Sequence, residues 1–229
     1  MANRVVLIPA RGGSTRVPRK NFRDFLGRPA ISRVIDTVSA SGVVDEIVVS
    51  TDDAEIADTA RAAGAAVPFV RPASLADAHT GARPVIQHAI AELGLDPDVR
   101  LGVFYATAVM LKPEDVVAAE KLLDPSTVDF VMTVAQFPAP IERALRIGVD
   151  DLVEVVDPAN LSVRSQDLLP AYHDLGQMYW GTVEAWRTDT PVATARTRAF
   201  VMDSWRAVDI DTPEDWVRAE RLFLADVDG

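Results

Sequence analysis

Val5-Val6-Leu7-Ile8-Pro9-Ala10-Arg11-Gly12-Gly13-Ser14-Thr15-Arg16-Val17-Pro18-Arg19-Lys20-Asn21 passes in one step from a continuous apolar run to a glycine-containing basic loop. A short unbroken run rich in β-branched residues suits a parallel strand buried on both faces better than a one-sided antiparallel strand. From Ala30 onward, Ile31, Val34, Ile35 and Val38 recur at i, i+3, i+4 and i+7, which predicts a helix, and Gly42 stands where that helix would stop. Glu46 to Ser50 reads as a second buried strand. After Thr51-Asp52-Asp53, a helix is expected with Ile56, Ala57, Ala60 and Ala63 on one face.

The alternation continues with an expected short strand at Val67 to Val70, a helix at Pro84 to Leu93 and a strand at Val99 to Tyr105. A helix at Pro113 to Leu123 and a strand at Phe130 to Val134 come next. Strands alternating with amphipathic helices imply right-handed crossovers, a mostly parallel sheet flanked by helices, and ligands at the carboxyl ends of the strands. That rule places the Arg11 loop in the ligand crevice. Between about residues 138 and 177, Pro138, Pro140, Pro158 and Pro170 break the pattern, and Leu152-Val153-Glu154-Val155 suggests part of a hairpin. This stretch reads as an arm inserted into a single domain spanning 1–229. Regular structure is expected again at Met178-Tyr179-Trp180 and at Trp205 to Ile210. A last helix is marked by Thr212 as N-cap, Pro213 at its first position, Asp215 completing a capping box, and Trp216, Ala219, Leu222 and Phe223 on its apolar face.

The chain has 229 residues, no cysteine and a formal net charge of −11. Without cysteine there is no disulfide framework and no thiolate metal site, which suits a reducing compartment. No apolar run is long enough for a signal peptide or membrane span, so the expectation is a soluble cytoplasmic protein. The acidic total argues against nucleic-acid and anionic-membrane partners, since both need an extended basic surface. Positive charge is instead concentrated. Arg11, Arg16, Arg19, Lys20, Arg23 and Arg28 face a single acid, Asp24, between residues 11 and 28, a local balance of +5.

In the loop, two glycines let backbone N–H groups approach an anion, and guanidinium groups can grip phosphate oxygens in pairs. It is neither a Walker A loop nor a dinucleotide fingerprint, because both spacings are absent. A second constellation is Asp209-Ile210-Asp211. On a strand, residues i and i+2 face the same side, so both carboxylates can converge on one hard cation. Few protein ligands, completed by phosphate and water, is the arrangement magnesium takes with a nucleoside triphosphate. The same acids could instead cap the helix that begins after Thr212. His79, His88 and His173 are scattered and show no metal-ligand spacing.

Several segments, in order, carry a resemblance: Ile8-Pro9-Ala10-Arg11-Gly12-Gly13-Ser14, Pro18-Arg19-Lys20-Asn21, Val49-Ser50-Thr51-Asp52-Asp53, Pro68-Phe69-Val70-Arg71-Pro72 and Asp209-Ile210-Asp211-Thr212-Pro213-Glu214-Asp215-Trp216. Together they resemble the acylneuraminate cytidylyltransferases over nearly the whole chain. Tyr105-Ala106-Thr107-Ala108, Arg164-Ser165-Gln166-Asp167 and Tyr172 to Trp180 look more like the pseudaminic acid branch than the sialic acid branch. The resemblance implies a nucleotide-diphospho-sugar transferase domain of the glycosyltransferase-A style, an arm that makes a homodimer, and transfer of CMP from CTP to an acidic nine-carbon sugar. It implies catalytic roles for Arg11, Lys20 and Asp211. Nucleotide contacts are implied for Ala10, Arg11, Gly12, Gly13, Ser14, Arg16, Lys20, Asn21, Arg71, Thr80 and Thr107. Mg2+ would sit on Asp209 and Asp211. Arg143 and Arg164 are implied to meet the sugar carboxylate, with Gln166, His173, Gln177 and Tyr179 as further sugar contacts, His173 equally readable as structural.

Two positions depart from the family pattern. Thr15 stands where lysine is usual, and Val109 where the related branch has proline. Losing one charge-assisted contact costs about 1.5–3 kcal/mol. Two further readings stay open: activation of a sialic, legionaminic or eight-carbon 2-keto acid, and a non-catalytic relative that binds nucleotide sugar.

Overall fold

The computed structural model describes residues 3–14, 16–77 and 79–227. Thr15, with its departure from the lysine pattern, lies outside them. The first strand, β1 (Arg4–Pro9), is the hub of a six-stranded sheet. Val6 and Ile8 point to one face and Val5 and Leu7 to the other, and all four are fully buried. The run is continuous rather than alternating because both faces are covered. On the Val6 side pack α1 (Ala30–Ala40), α2 (Ala54–Ala62), α4 (Pro113–Leu122) and α6 (Pro213–Val227). On the Val5 side lie α3 (Ala82–Leu93) and the short α5 (Val183–Arg187).

After the small ribbon of β2 (Asp24–Phe25) and β3 (Arg28–Pro29), the sheet strands are β4 (Glu46–Ser50), β5 (Arg100–Phe104), β6 (Phe130–Gln136), β9 (Tyr172–Thr182) and β10 (Thr197–Val201), in the spatial order β10-β6-β9-β5-β1-β4. The pairs β1–β4, β1–β5 and β10–β6 are parallel, while β9 is antiparallel to both β5 and β6. The expected mostly parallel sheet flanked by helices is the observed one. The helix signals also hold: Gly42 takes φ +65° just past α1, and at α6 the Asp215 N–H donates to Thr212 Oγ1 (3.2 Å) while the Thr212 N–H donates to Asp215 Oδ2 (2.9 Å).

Two expected strands are absent. Val67 to Val70 forms no strand. Its neighbour Ala66 makes a lone parallel bridge to Val48, Pro68 has no N–H for a ladder, and Val70 is 77% exposed. Trp205 to Ile210 is not a strand either. The ladder beside β6 is taken by β10, ends where the Met202 N–H meets the Val134 carbonyl (2.8 Å), and gives way to a turn from Asp203 to Arg206. The irregular segment starts after β6 and ends at Ala171, since β9 begins at Tyr172. It holds the antiparallel hairpin of β7 (Leu145–Ile147) and β8 (Val153–Val155).

One irregularity in the sheet shapes the crevice side of β9. Met132 faces Tyr179, but Val134 faces Asp174, so Leu175 to Met178 bulge out opposite Thr133 alone. Gly176 takes φ +59° at the bend. Such bulges re-aim side chains near functional sites. Thr133, fully buried, locks this one by accepting from the Met178 N–H and donating to the Met178 carbonyl, both at 3.1 Å. Thr133→Val keeps the shape and strands both backbone groups, so the urea midpoint should fall by an amount worth about 1–3 kcal/mol. A midpoint equal to wild type would show that the hydroxyl does not hold the bulge.

Candidate active site

Successive crossovers from β1 lead to β4 on one side and to β5 on the other, which makes the carboxyl end of β1 a switch point of the topology, where ligand crevices form. A cavity of about 240 Å³ opens there. Its walls come from the loop after β1 (Arg11, Ser14, Arg16, Lys20, Asn21), the segment after β4 (Arg71, Asp77, Thr80) and the end of β5 (Tyr105).

The basic loop is fixed from beneath. Ala10 is buried and its N–H donates to the Ser50 carbonyl (2.9 Å), and Asn21 Nδ2 donates to the Arg11 carbonyl (3.0 Å). The Gly12 N–H donates to Asp52 Oδ1 (3.0 Å), and a Cβ at Gly12 would stand 2.7 Å from Asp53 Oδ2. Glycine is therefore required by the acid pair that comes after β4. A Cβ at Gly13 meets nothing, so its side of the loop is open. Arg11 Nη1 donates to the Asp77 carbonyl (2.6 Å), and Asp77 in turn holds Thr80 through its N–H (2.7 Å) and hydroxyl (2.9 Å). Arg71 is buried, bonded to Ser50 through its hydroxyl and carbonyl, and its guanidinium is lowered to about 10, first by burial and then by Arg11, with Asp52 opposing.

The aspartate pair meets this loop. Lys20 Nζ donates to the Ile210 carbonyl (2.8 Å) and to Asp211 Oδ1 (3.1 Å), while Arg16 Nη1 donates to Asp211 Oδ2 (2.9 Å). Residues some 190 positions apart thus meet, and the acid lies directly behind two cations of the cavity wall. Ile210 is buried in the core between the two acids. Asp209 lies beside the bulge: a Cβ on Gly176 would be 3.6 Å from its Oδ1. Its carboxyl is raised by burial and then by Asp211, with Lys20 opposing and Asp215 and Asp174 adding to the rise. The Tyr179 hydroxyl shares its one proton between the two Asp174 carboxylate oxygens (2.7 and 2.9 Å), and the Tyr179 ring meets Tyr105 edge-on at 6.1 Å. Burial, before Asp174, pushes the Tyr179 hydroxyl well above its usual range.

The expected sugar contacts are divided. His173, Gln177 and Tyr179 lie on β9, Gln177 within the bulge and the other two in the paired stretches that flank it. His173 Nδ1 is 3.0 Å from the Asp174 carbonyl, and Gln177 is buried with Nε2 on the Val208 carbonyl (2.9 Å). Arg143, Arg164 and Gln166 lie in the arm. Arg143 Nη1 donates to Ser165 Oγ (2.9 Å), Arg164 precedes a 3-10 turn at Ser165–Asp167, and Gln166 lines a separate cavity with Phe137 and Pro170. Thr107 is buried in the loop after β5 and does not line the crevice. Asp77, Tyr105 and Asp174 join the site without having been expected there. The acid pair Asp52-Asp53 directly after a strand is the one sequence signal for what backs the loop.

A family described as Cytidylyltransferase matches residues 5–225. Pseudaminic acid cytidylyltransferase of Campylobacter jejuni subsp. jejuni serotype O:2 is 37% identical over 95% of this chain and 94% of its own. CMP-N,N'-diacetyllegionaminic acid synthase of Legionella pneumophila is 30% identical over 96% and 95%. Among solved structures, a CMP:2-keto-3-deoxy-manno-octonic acid synthetase complexed with CTP shares the fold at a TM-score of 0.71 and 17% identity, covering 97% of this chain and 99% of that one.

The raised Asp209 carboxyl has a stability consequence with a definite sign. A carboxyl lifted above its unfolded value favours the fold below the ordinary carboxylate range, and that contribution is lost as pH rises through the lifted value. Ionised Asp209 therefore weighs against the ligand-free fold at neutral pH. Asp209→Asn should raise the melting temperature of the ligand-free protein at neutral pH, with the gain shrinking in acid. A lower melting temperature for the asparagine variant at neutral pH would contradict the crowding of acids around Asp209.

Proposed function

This chain belongs to the cytidylyltransferase family, and on that premise we propose that it joins CMP from CTP to pseudaminic acid. The anomeric oxygen of the sugar bonds to the α-phosphorus, and the bond from that phosphorus to the bridging oxygen breaks. Pyrophosphate leaves with the electron pair, and the hydroxyl proton is released. The observation that carries the proposal is the double hold on Asp211 by Lys20 and Arg16, two cations that line the cavity, which brings a hard oxygen donor to the edge of a basic crevice. The extent of the likeness to the Campylobacter enzyme supports the choice of sugar.

Phosphoryl transfer is mostly positioning and charge neutralisation. Arg11, Arg16 and Lys20 hold the phosphates, with Gly12 and Gly13 letting the backbone come close. Phosphate oxygens compete with Asp211 for Lys20 and Arg16, so the ion pairs of the ligand-free site pre-place the cations. Asp209 and Asp211 suit Mg2+: both offer carboxylate oxygens, and the acids crowded around Asp209 leave negative charge for a divalent ion to offset. Bound there, the metal would supply charge neutralisation at the phosphates and lower the pKa of the attacking hydroxyl. Tyr105, on the cavity wall, and Asp174, near Asp209, are placed to meet the sugar hydroxyls.

The arm is assigned to a homodimer. Leu145, Ile147, Val149, Leu152 and Val153 are all exposed on or beside its hairpin, an apolar surface that a second copy would cover. Arg143 and Arg164 would then be available to a sugar carboxylate at a shared site. No helix among the described residues is long and apolar enough to cross a membrane, and we place the reaction in the cytoplasm, where CTP is made.

Pyrophosphate release with CTP, Mg2+ and a panel of acidic sugars tests the reading, with pseudaminic acid expected to give the highest kcat/KM. Turnover only with a legionaminic acid would move the assignment to the sugar of the Legionella relative, and CTP binding with no turnover would overturn catalysis. In the same assay Asp211→Ala should lose at least about a hundredfold in kcat while keeping its circular dichroism. Wild-type rates would remove the acid pair from the mechanism.

A further inference from the structure

The segment that carries the acid pair has no ladder to hold it. After Met202 the backbone leaves the sheet, and from Asp203 to Thr212 none of it is strand. Its course is set by its own Val208 and Ile210, buried in the core, and by side chains arriving from elsewhere: Gln177 on the Val208 carbonyl, Lys20 on the Ile210 carbonyl, and one largely buried ion pair at its start. In that pair the Arg206 guanidinium forks onto both oxygens of Asp115, Nη2 at 3.0 Å from Oδ1 and Nη1 against Oδ2, and Nη1 also donates to the Met110 carbonyl (3.2 Å). Asp115 is nearly buried and accepts as well from the Lys112 N–H (2.8 Å) at the head of α4. The loop thereby gripped, Tyr105 to Leu111, begins with the crevice residue Tyr105 and is buried from Ala106 onward.

We propose that Arg206, fixed by Asp115, is a positioning residue for the reaction. It sets where Asp209 and Asp211 stand relative to the Tyr105 wall, and this inference rests on cytidylyl transfer being the activity of the site. A buried pair of this kind adds little net stability over an apolar replacement, but it fixes geometry, and a forked guanidinium does so in a way lysine does not. Groups bonded directly to metal ligands characteristically cost about 10–100-fold in metal affinity or activity when removed, and Arg206, acting one step further out through the backbone, is assigned the lower end of that range.

The test compares Arg206→Met, Arg206→Lys and the remote core variant Ile35→Val with wild type. Two readouts are taken: the Mg2+ concentration that half-saturates the rise in melting temperature at fixed CTP, and kcat and KM for CTP. Arg206→Met should need about tenfold more Mg2+ and lose about tenfold or more in kcat, with KM for CTP nearly unchanged. Arg206→Lys should recover part of both, and Ile35→Val should lose stability with its Mg2+ titration unmoved. The inference is overturned if the arginine variants lose stability like Ile35→Val while their Mg2+ titrations overlay wild type. Should Arg206→Met fail to fold, Arg206→Lys decides on the same terms. A wild-type protein showing neither turnover nor a Mg2+-dependent rise would instead bring down the functional reading, and this inference with it.

Discussion

Everything in the site depends on Asp211 standing where the basic loop can reach it. The contacts from Lys20 and Arg16 are partly exposed ion pairs, and such pairs add at most about 1 kcal/mol each to a fold. They do not hold the molecule together. They record that the sheet has already brought the carboxyl end of β1 and the start of α6 to one place. The energy for that comes from the two apolar layers, into which Val5, Val6, Leu7 and Ile8 project alternately and against which Trp216 and Ala219 of α6 are buried. In a chain of net charge −11, the result is a small basic region in contact with acid side chains of its own.

The scaffold around that contact is unusually dependent on side chains for a site set at strand ends. Gly12 exists as glycine because Asp53 fills the space behind it. The β9 bulge, locked by Thr133, carries Asp174 toward Asp209 and buries Gln177 beneath Val208. Arg206 and Asp115 close the arrangement from below. The sheet gives the crevice its location, and buried polar side chains give it its detail. A network of this sort fixes geometry at some cost in stability, and burial together with the acids gathered around Asp209 raises its carboxyl.

The legible parts of the fold are those with a simple physical signature. β1, β4, β5 and β6 are buried on both faces and read as apolar runs, and α6 announces itself through Thr212 and Asp215. β10 does not, because Thr197-Arg198-Ala199-Phe200-Val201 is a largely exposed edge strand with a charge in it. Val67 to Val70 looks like a strand by composition, and Pro68 prevents it. In the site, Arg11, Arg16, Lys20 and Asp211 stand out through charge contrast within a short window or through their spacing. Asp77, Tyr105 and Asp174 have no local signal, since a loop after β4, the end of β5 and the antiparallel β9 bring them in. Arg206 and Asp115 are hidden for the same reason: each is an ordinary charged residue until the fold pairs them across 91 positions.

The most direct measurement is a crystal structure with CTP and Mg2+ bound. The account predicts the triphosphate between Arg11 and Lys20 on one side and Asp209 and Asp211 on the other, with the contacts from Lys20 and Arg16 to Asp211 exchanged for phosphate oxygens. A triphosphate lodged elsewhere, with both of those contacts intact, would contradict it.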